Sequence, residues 1–131
     1  MADTVSCTNL ERYQVHVRTP AHALTADFSK TDGGDGLGPS PFELLLGSLG
    51  ACTVATVVHF AGTSGIALHR VWADLAGERG DDKTYRIRVA LRVRGDLSET
   101  DVKRLLGYAR QCHVHKELSR GIEIAIAIER V

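Results

Sequence analysis

Apolar and polar positions change rhythm several times along the 131 residues. From Tyr13 to Arg18 they alternate. Tyr13, Val15 and Val17 fall on one side and Gln14, His16 and Arg18 on the other, the period-2 signature of a strand. Thr19-Pro20-Ala21-His22 supplies a turn, and Ala23 to Phe28 returns as the second arm of a hairpin. The run from Ser29 to Gly38 is too rich in Gly and Asp for regular structure and reads as a loop.

The rhythm then disappears into a long uncharged stretch, "GPSPFELLLGSLGAC" and onwards. Glu43 is the last Asp, Glu, Lys or Arg before Arg70. Ser40-Pro41-Phe42-Glu43 is a helix start: serine at the N-cap, proline at the first helical position, and glutamate three residues after the cap. The helix is predicted from Pro41 to about Ala61, where Gly-Thr-Ser-Gly breaks it. Apolar on every face, it is expected to be buried all round. A membrane span wants ~20 predominantly apolar residues. Gly47, Ser48, Gly50, Thr53 and Thr56 dilute this one, so the reading is a core helix. Gly47-x-x-Gly50 suits close approach to another backbone.

Ile66 to Glu78 and Lys83 to Gly95 form a second predicted hairpin around Arg79-Gly80-Asp81-Asp82. Tyr85, Ile87, Val89, Leu91 and Val93 share one face of its second strand. Arg86, Arg88, Arg92 and Arg94 share the other. Asp96 to Cys112 is a second helix with a capping box from Ser98 to Asp101 and a Leu97–Val102 staple. Val102, Leu105, Leu106 and Ala109 make its apolar stripe, and Cys112 stands near its C-terminus. His113 to Gly121 turns out of it. Ile122, Ile124, Ile126 and Ile128 lie on one face of a closing strand. The order is that of an α+β protein with a largely antiparallel sheet and one long buried helix.

The length suits a single domain over residues 1–131. With 44% hydrophobic and 24% charged residues the chain is globular in composition. Its formal net charge of zero argues against nucleic acid or anionic lipid as the main partner. The arginine-bearing strand face therefore reads as a solvated surface paired with acids. The acidic, polar start, "MADTVSCTNLERYQ", is no signal peptide, so the expected location is the cytoplasm.

Cys7, Cys52 and Cys112 are an odd set at wide spacing, a poor disulfide framework. Each thiol is either a small core hydrophobe or chemistry. Cys52, mid-helix, needs a nearby cation or polar network to become a reactive thiolate. Cys112 stands beside His113 and His115, and with His59 these residues could in principle ligate a metal. No C-x-x-C or H-E-x-x-H pattern is present, however, and no metal or other cofactor is expected. A Cys–His nucleophile is compatible with the residue types but has no visible oxyanion hole. Glu43 already has a structural role in the capping box.

Two segments together, "GPSPFELLLGSLGACT" and "ARQCHVHKELSRGIEI", resemble the OsmC/Ohr family of osmotically inducible and organic-hydroperoxide-resistance proteins. The resemblance is closest to the branch with a G-P-S-P-x-E-L-L helix and a C-x-V-H motif, and it runs from about Tyr13 to Ile128. It implies an intertwined homodimer with the buried helix at its centre. It also implies a thiol-dependent peroxidase that reduces organic hydroperoxides. In that scheme Cys52 is the peroxidatic thiol, Cys112 the resolving thiol, and a dithiol the reductant. The family's activating glutamate maps nearest to Glu43, one place after the matching position, which Phe42 holds. Its activating arginine maps beside Arg18. The alternative is a non-enzymatic dimer that binds a small apolar or electrophilic ligand at its interface.

Overall fold

In a computed structural model of the chain, residues 2–131 are described. The chain divides into two compact units, one ending at Gly47 and the other running Ser48–Val131.

The first unit holds a three-stranded antiparallel sheet of β1 (Ser6–Asn9), β2 (Val15–Arg18) and β3 (Ala23–Ala26), in that order. The predicted hairpin is β2–β3, with Val15 opposite Ala26 and Arg18 opposite Ala23. Strand β1 was not foreseen. Its residues, Ser-Cys-Thr-Asn, are all exposed and carry no alternation to read. Asp27, only 2% exposed, ends the sheet and fastens the loop: its Oδ2 accepts the backbone N–H groups of Asp35 (3.2 Å) and Leu37 (3.1 Å). Tyr13 stacks on Phe28 with ring centroids 5.0 Å apart.

Helix α1 spans Pro41–Thr63 and begins as its sequence dictates. The Glu43 N–H donates to Ser40 Oγ (3.2 Å) and the Ser40 N–H donates to Glu43 Oε1 (2.9 Å), a complete capping box. By length and composition alone α1 could cross a membrane. The expectation that it is buried on every face is corrected. Within the chain only the stripe Leu49, Gly50, Thr53, Val57 and Ala61 is buried, while Val58 is 54% exposed. Apolar composition on every face does not say which faces the chain itself covers.

In the second unit β4 (Leu68–Arg79) and β5 (Tyr85–Gly95) form the predicted antiparallel hairpin, with Leu75 opposite Val89 and Ala73 opposite Leu91. The arginines of β5 are occupied locally. Arg86 pairs with Asp82 (2.7 Å), Arg88 with Glu78 (3.8 Å) and Arg92 with Asp74, while Arg94 lies over the Trp72 ring (5.8 Å). Exposed pairs of this kind contribute roughly 0–1 kcal/mol each, so they tidy the surface more than they hold the fold.

The core of this unit is Val57 and Ala61 of α1, Ile66, and Leu105 and Ala109 of α2 (Glu99–Ala109), packed on Val71, Leu91 and Val93 of the hairpin. Burying a side chain such as Leu105 (1% exposed) stabilises by about 1.5–3 kcal/mol. Gly50 lies against Leu75, whose Cδ1 would be 2.8 Å from an added Cβ. Gly50 is thus approached by a side chain, not by the second backbone expected from Gly47-x-x-Gly50. At Gly47 an added Cβ meets nothing within 4 Å.

Three C-terminal expectations are corrected. The second helix stops at Ala109 instead of continuing to Cys112, and the segment expected as an exit turn is a third helix, α3 (His113–Arg120). Gly121 ends it at φ 94°, a left-handed conformation that glycine adopts without strain. The expected closing strand is not formed within the chain. No strand follows α3 among the described residues, and Ile124, Ile126 and Ile128 are 80%, 92% and 99% exposed. Alternation gives a segment the character of a strand, but a strand also needs an edge to pair with.

Candidate active site

Helix α1 carries Cys52 and helix α3 carries Cys112 at its N-cap, and the second unit brings these two thiols together. Their environments differ. Cys52 is partly exposed, whereas Cys112 is completely buried. Cys112 acts as a serine would at a helix start: its Sγ accepts the His115 backbone N–H at 3.5 Å.

The Thr56 hydroxyl, the Cys112 thiol and the first amides of α3 lie around the Cys52 sulfur. Burial pushes its pKa up. The Cys112 thiol, the Val114 N–H, the Thr56 hydroxyl and the His113 N–H together outweigh that effect and hold the thiol below its ordinary range. Two of the four are the first amides of α3, so the thiolate faces the positive end of that helix. The Thr56 Oγ1 is 3.9 Å from Cys52 Sγ.

Beside the Cys52 sulfur opens a cleft of about 400 Å³. Ala55 and Phe60 give it an apolar wall, and His59, Gln111, His113 and Lys116 a polar one with no carboxylate. Such a cleft admits a small ligand with an apolar body and sets no negative charge against a thiolate. A larger cleft of about 460 Å³ in the first unit is lined by Cys7, Tyr13 and Phe28 among others. Cys7 is its only thiol.

Glu43 lies in the first unit, fully exposed at the start of α1. The Ser40 N–H, then the Ser40 hydroxyl, hold its carboxylate below the usual range. Among the described residues no three of His, Cys, Asp and Glu gather closely enough to hold a metal ion.

Sequence reasoning found both thiols but missed Thr56 and the amides of α3. One signal was available for α3: Arg120-Gly121 after a polar, periodic run is a helix stop, which implies a helix before it. Thr56, four residues after Cys52, was readable only as one more small residue diluting an apolar stretch.

A family model described as OsmC-like protein matches residues 33–127. Solved structures share the fold. An OsmC-like protein from Mycoplasma pneumoniae superposes with a TM-score of 0.80 at 21% identity, covering 91% of this chain and 88% of the other. The organic hydroperoxide resistance protein OhrB of Bacillus subtilis gives 0.64 at 19% identity, with 92% of each chain covered. An organic hydroperoxide resistance protein OsmC from Legionella pneumophila gives 0.65 at 22% identity, covering 86% and 87%. No curated protein matches the sequence.

Proposed function

Because the chain belongs to the OsmC-like protein family, we propose that it is a thiol peroxidase that reduces organic hydroperoxides, working as a cytoplasmic homodimer. The observation that carries this reading is the paired thiols, a partly exposed Cys52 beside a buried Cys112, with the Thr56 hydroxyl 3.9 Å from the Cys52 sulfur. The solved hydroperoxide-resistance proteins of the same fold point the same way.

The Cys52 thiolate attacks the distal oxygen of R–O–O–H. An S–O bond forms as the O–O bond breaks, and the departing alkoxide takes a proton and leaves as R–OH. Sulfur is oxidised by two electrons to a sulfenic acid. Cys112, as thiolate, attacks that sulfur. The S–S bond forms, and hydroxide leaves and takes a proton as water. A dithiol reductant then resets both thiols by two exchange steps.

In this reading residues 1–131 form a single domain, and the activating role that the family resemblance gives to Glu43 is part of the proposal. The homodimer reading rests on apolar surface that the chain leaves open: the exposed side of α1 at Val58 and the isoleucines after α3. Exposed apolar side chains of this kind are what a second copy would cover.

The test is a stoichiometric pulse of cumene hydroperoxide on the pre-reduced protein, read by intact mass and free-thiol count. Wild type is expected to lose two thiols to a Cys52–Cys112 disulfide, and Cys52→Ser none. A wild type that stays reduced rules the peroxidase out.

A further inference from the structure

Three threonines of α1 have hydroxyls with a defined partner, and one of them behaves differently. The usual use of a mid-helix hydroxyl is to bond back to the helix's own carbonyls. Thr53 does so to Leu49 O at 2.8 Å, and Thr63 to Phe60 O at 3.1 Å. Thr56 instead presents its hydroxyl to Cys52 Sγ at 3.9 Å, one helical turn back on the same face, and it lines the cleft that opens at that sulfur.

We propose that Thr56 is a positioning residue for the Cys52 thiolate: its hydroxyl donates to the ionised sulfur and, with the first amides of α3, forms the cradle in which that charge is held. As a neutral pair either group could donate. Once Cys52 has lost its proton only Thr56 has one to give, so the contact becomes a charge-assisted bond in the thiolate state alone. The β-branched side chain limits rotation at χ1 and keeps the hydroxyl on the sulfur at little entropic cost.

The groups that face Cys52 agree with this role. Cys112 and the amides of His113 and Val114 come from the start of α3, while the side chains of His59, His113 and Lys116 border the same cleft. Every donor named here belongs to the second unit. The cradle is therefore assembled from groups of α1 and α3.

The inference deepens the peroxidase reading and rests on it for its significance, but its test uses no peroxide. Full-length, pre-reduced protein is alkylated with iodoacetamide across a pH series, and modification of the Cys52 peptide is followed by mass spectrometry. Thr56→Val is expected to move the midpoint up by about half a unit or more, an approximately threefold loss of Cys52 labelling below both midpoints. Thr56→Ser should restore the wild-type profile. Thr56→Ala serves as a second hydroxyl-free variant should valine crowd the cleft. Profiles of Thr56→Val and Thr56→Ala that superimpose on wild type would overturn the proposal, as would a serine variant shifted as far as valine. If the shift is seen but cumene hydroperoxide leaves the thiols reduced, Thr56 keeps its role and the peroxidase reading falls alone.

Discussion

Cys112 Sγ accepts the His115 N–H at 3.5 Å, so the second thiol of the site is also the N-cap of the helix that follows it. A side chain with two duties can be separated by substitution. Cys112→Ser keeps an acceptor at the cap and removes the sulfur, and Cys112→Ala removes both. The alanine variant is expected to be less stable than the serine variant by about 1 kcal/mol, measured by urea denaturation. Neither should form the intramolecular disulfide. Equal stabilities would show that the cap contributes nothing.

The pH dependence of Cys52 follows from the direction of its shift. A pKa held below the ordinary thiol range means that thiolate persists to lower pH than in a free cysteine, and that reactivity falls only as pH drops through the lowered value. Second-order oxidation of wild type by cumene hydroperoxide, followed from pH 5 to 9, is expected to reach its plateau at lower pH than oxidation of a cysteine peptide. Coincident curves would mean that the groups around the sulfur do not act on it.

Exposed isoleucines predict assembly. Ile124 and Ile126 are 80% and 92% exposed within one chain, a cost that a soluble monomer would avoid. Wild type is expected to sediment at twice the mass of one chain. Ile124→Lys with Ile126→Lys should shift it towards a single chain and lower its melting temperature. A wild type already monomeric at micromolar concentration would remove the homodimer from the reading.

Gly50 and Leu75 test the packing of α1 on β4. An added Cβ at Gly50 would come within 2.8 Å of Leu75 Cδ1. Gly50→Ala must turn the half-exposed Leu75 methyl aside and is therefore expected to cost no more than about 1 kcal/mol net of alanine's better helix propensity. Pairing it with Leu75→Val should recover part of the loss. If Gly50→Ala alone stabilises, the contact is looser than its geometry implies.

Local patterns in the sequence were enough for the elements whose cause is local. The Ser40–Glu43 box set the start of α1, and the alternation from Tyr85 to Val93 set β5, whose inward face is half-buried at Tyr85, Ile87, Leu91 and Val93 but exposed at Val89. The thiols were legible through a resemblance of motifs, since Cys52 and Cys112 are far apart in the chain and nothing in their spacing joins them. What stayed hidden depends on neighbours. Cys112 as a helix cap, Thr56 turned to a sulfur, and the want of a pairing edge for Ile122 to Ile128 are each decided by what lies across a gap in space.

The unequal exposure of the two thiols has a consequence for timing. A reagent arriving from solvent meets Cys52 first, because Cys112 offers it no surface. The buried sulfur can be reached through its neighbour, so access orders the two thiols in the same sense as the lowered pKa of Cys52. The same arrangement works as a safeguard. An excess of oxidant can drive Cys52 up the oxidation ladder while Cys112, shielded in the same site, is held in reserve.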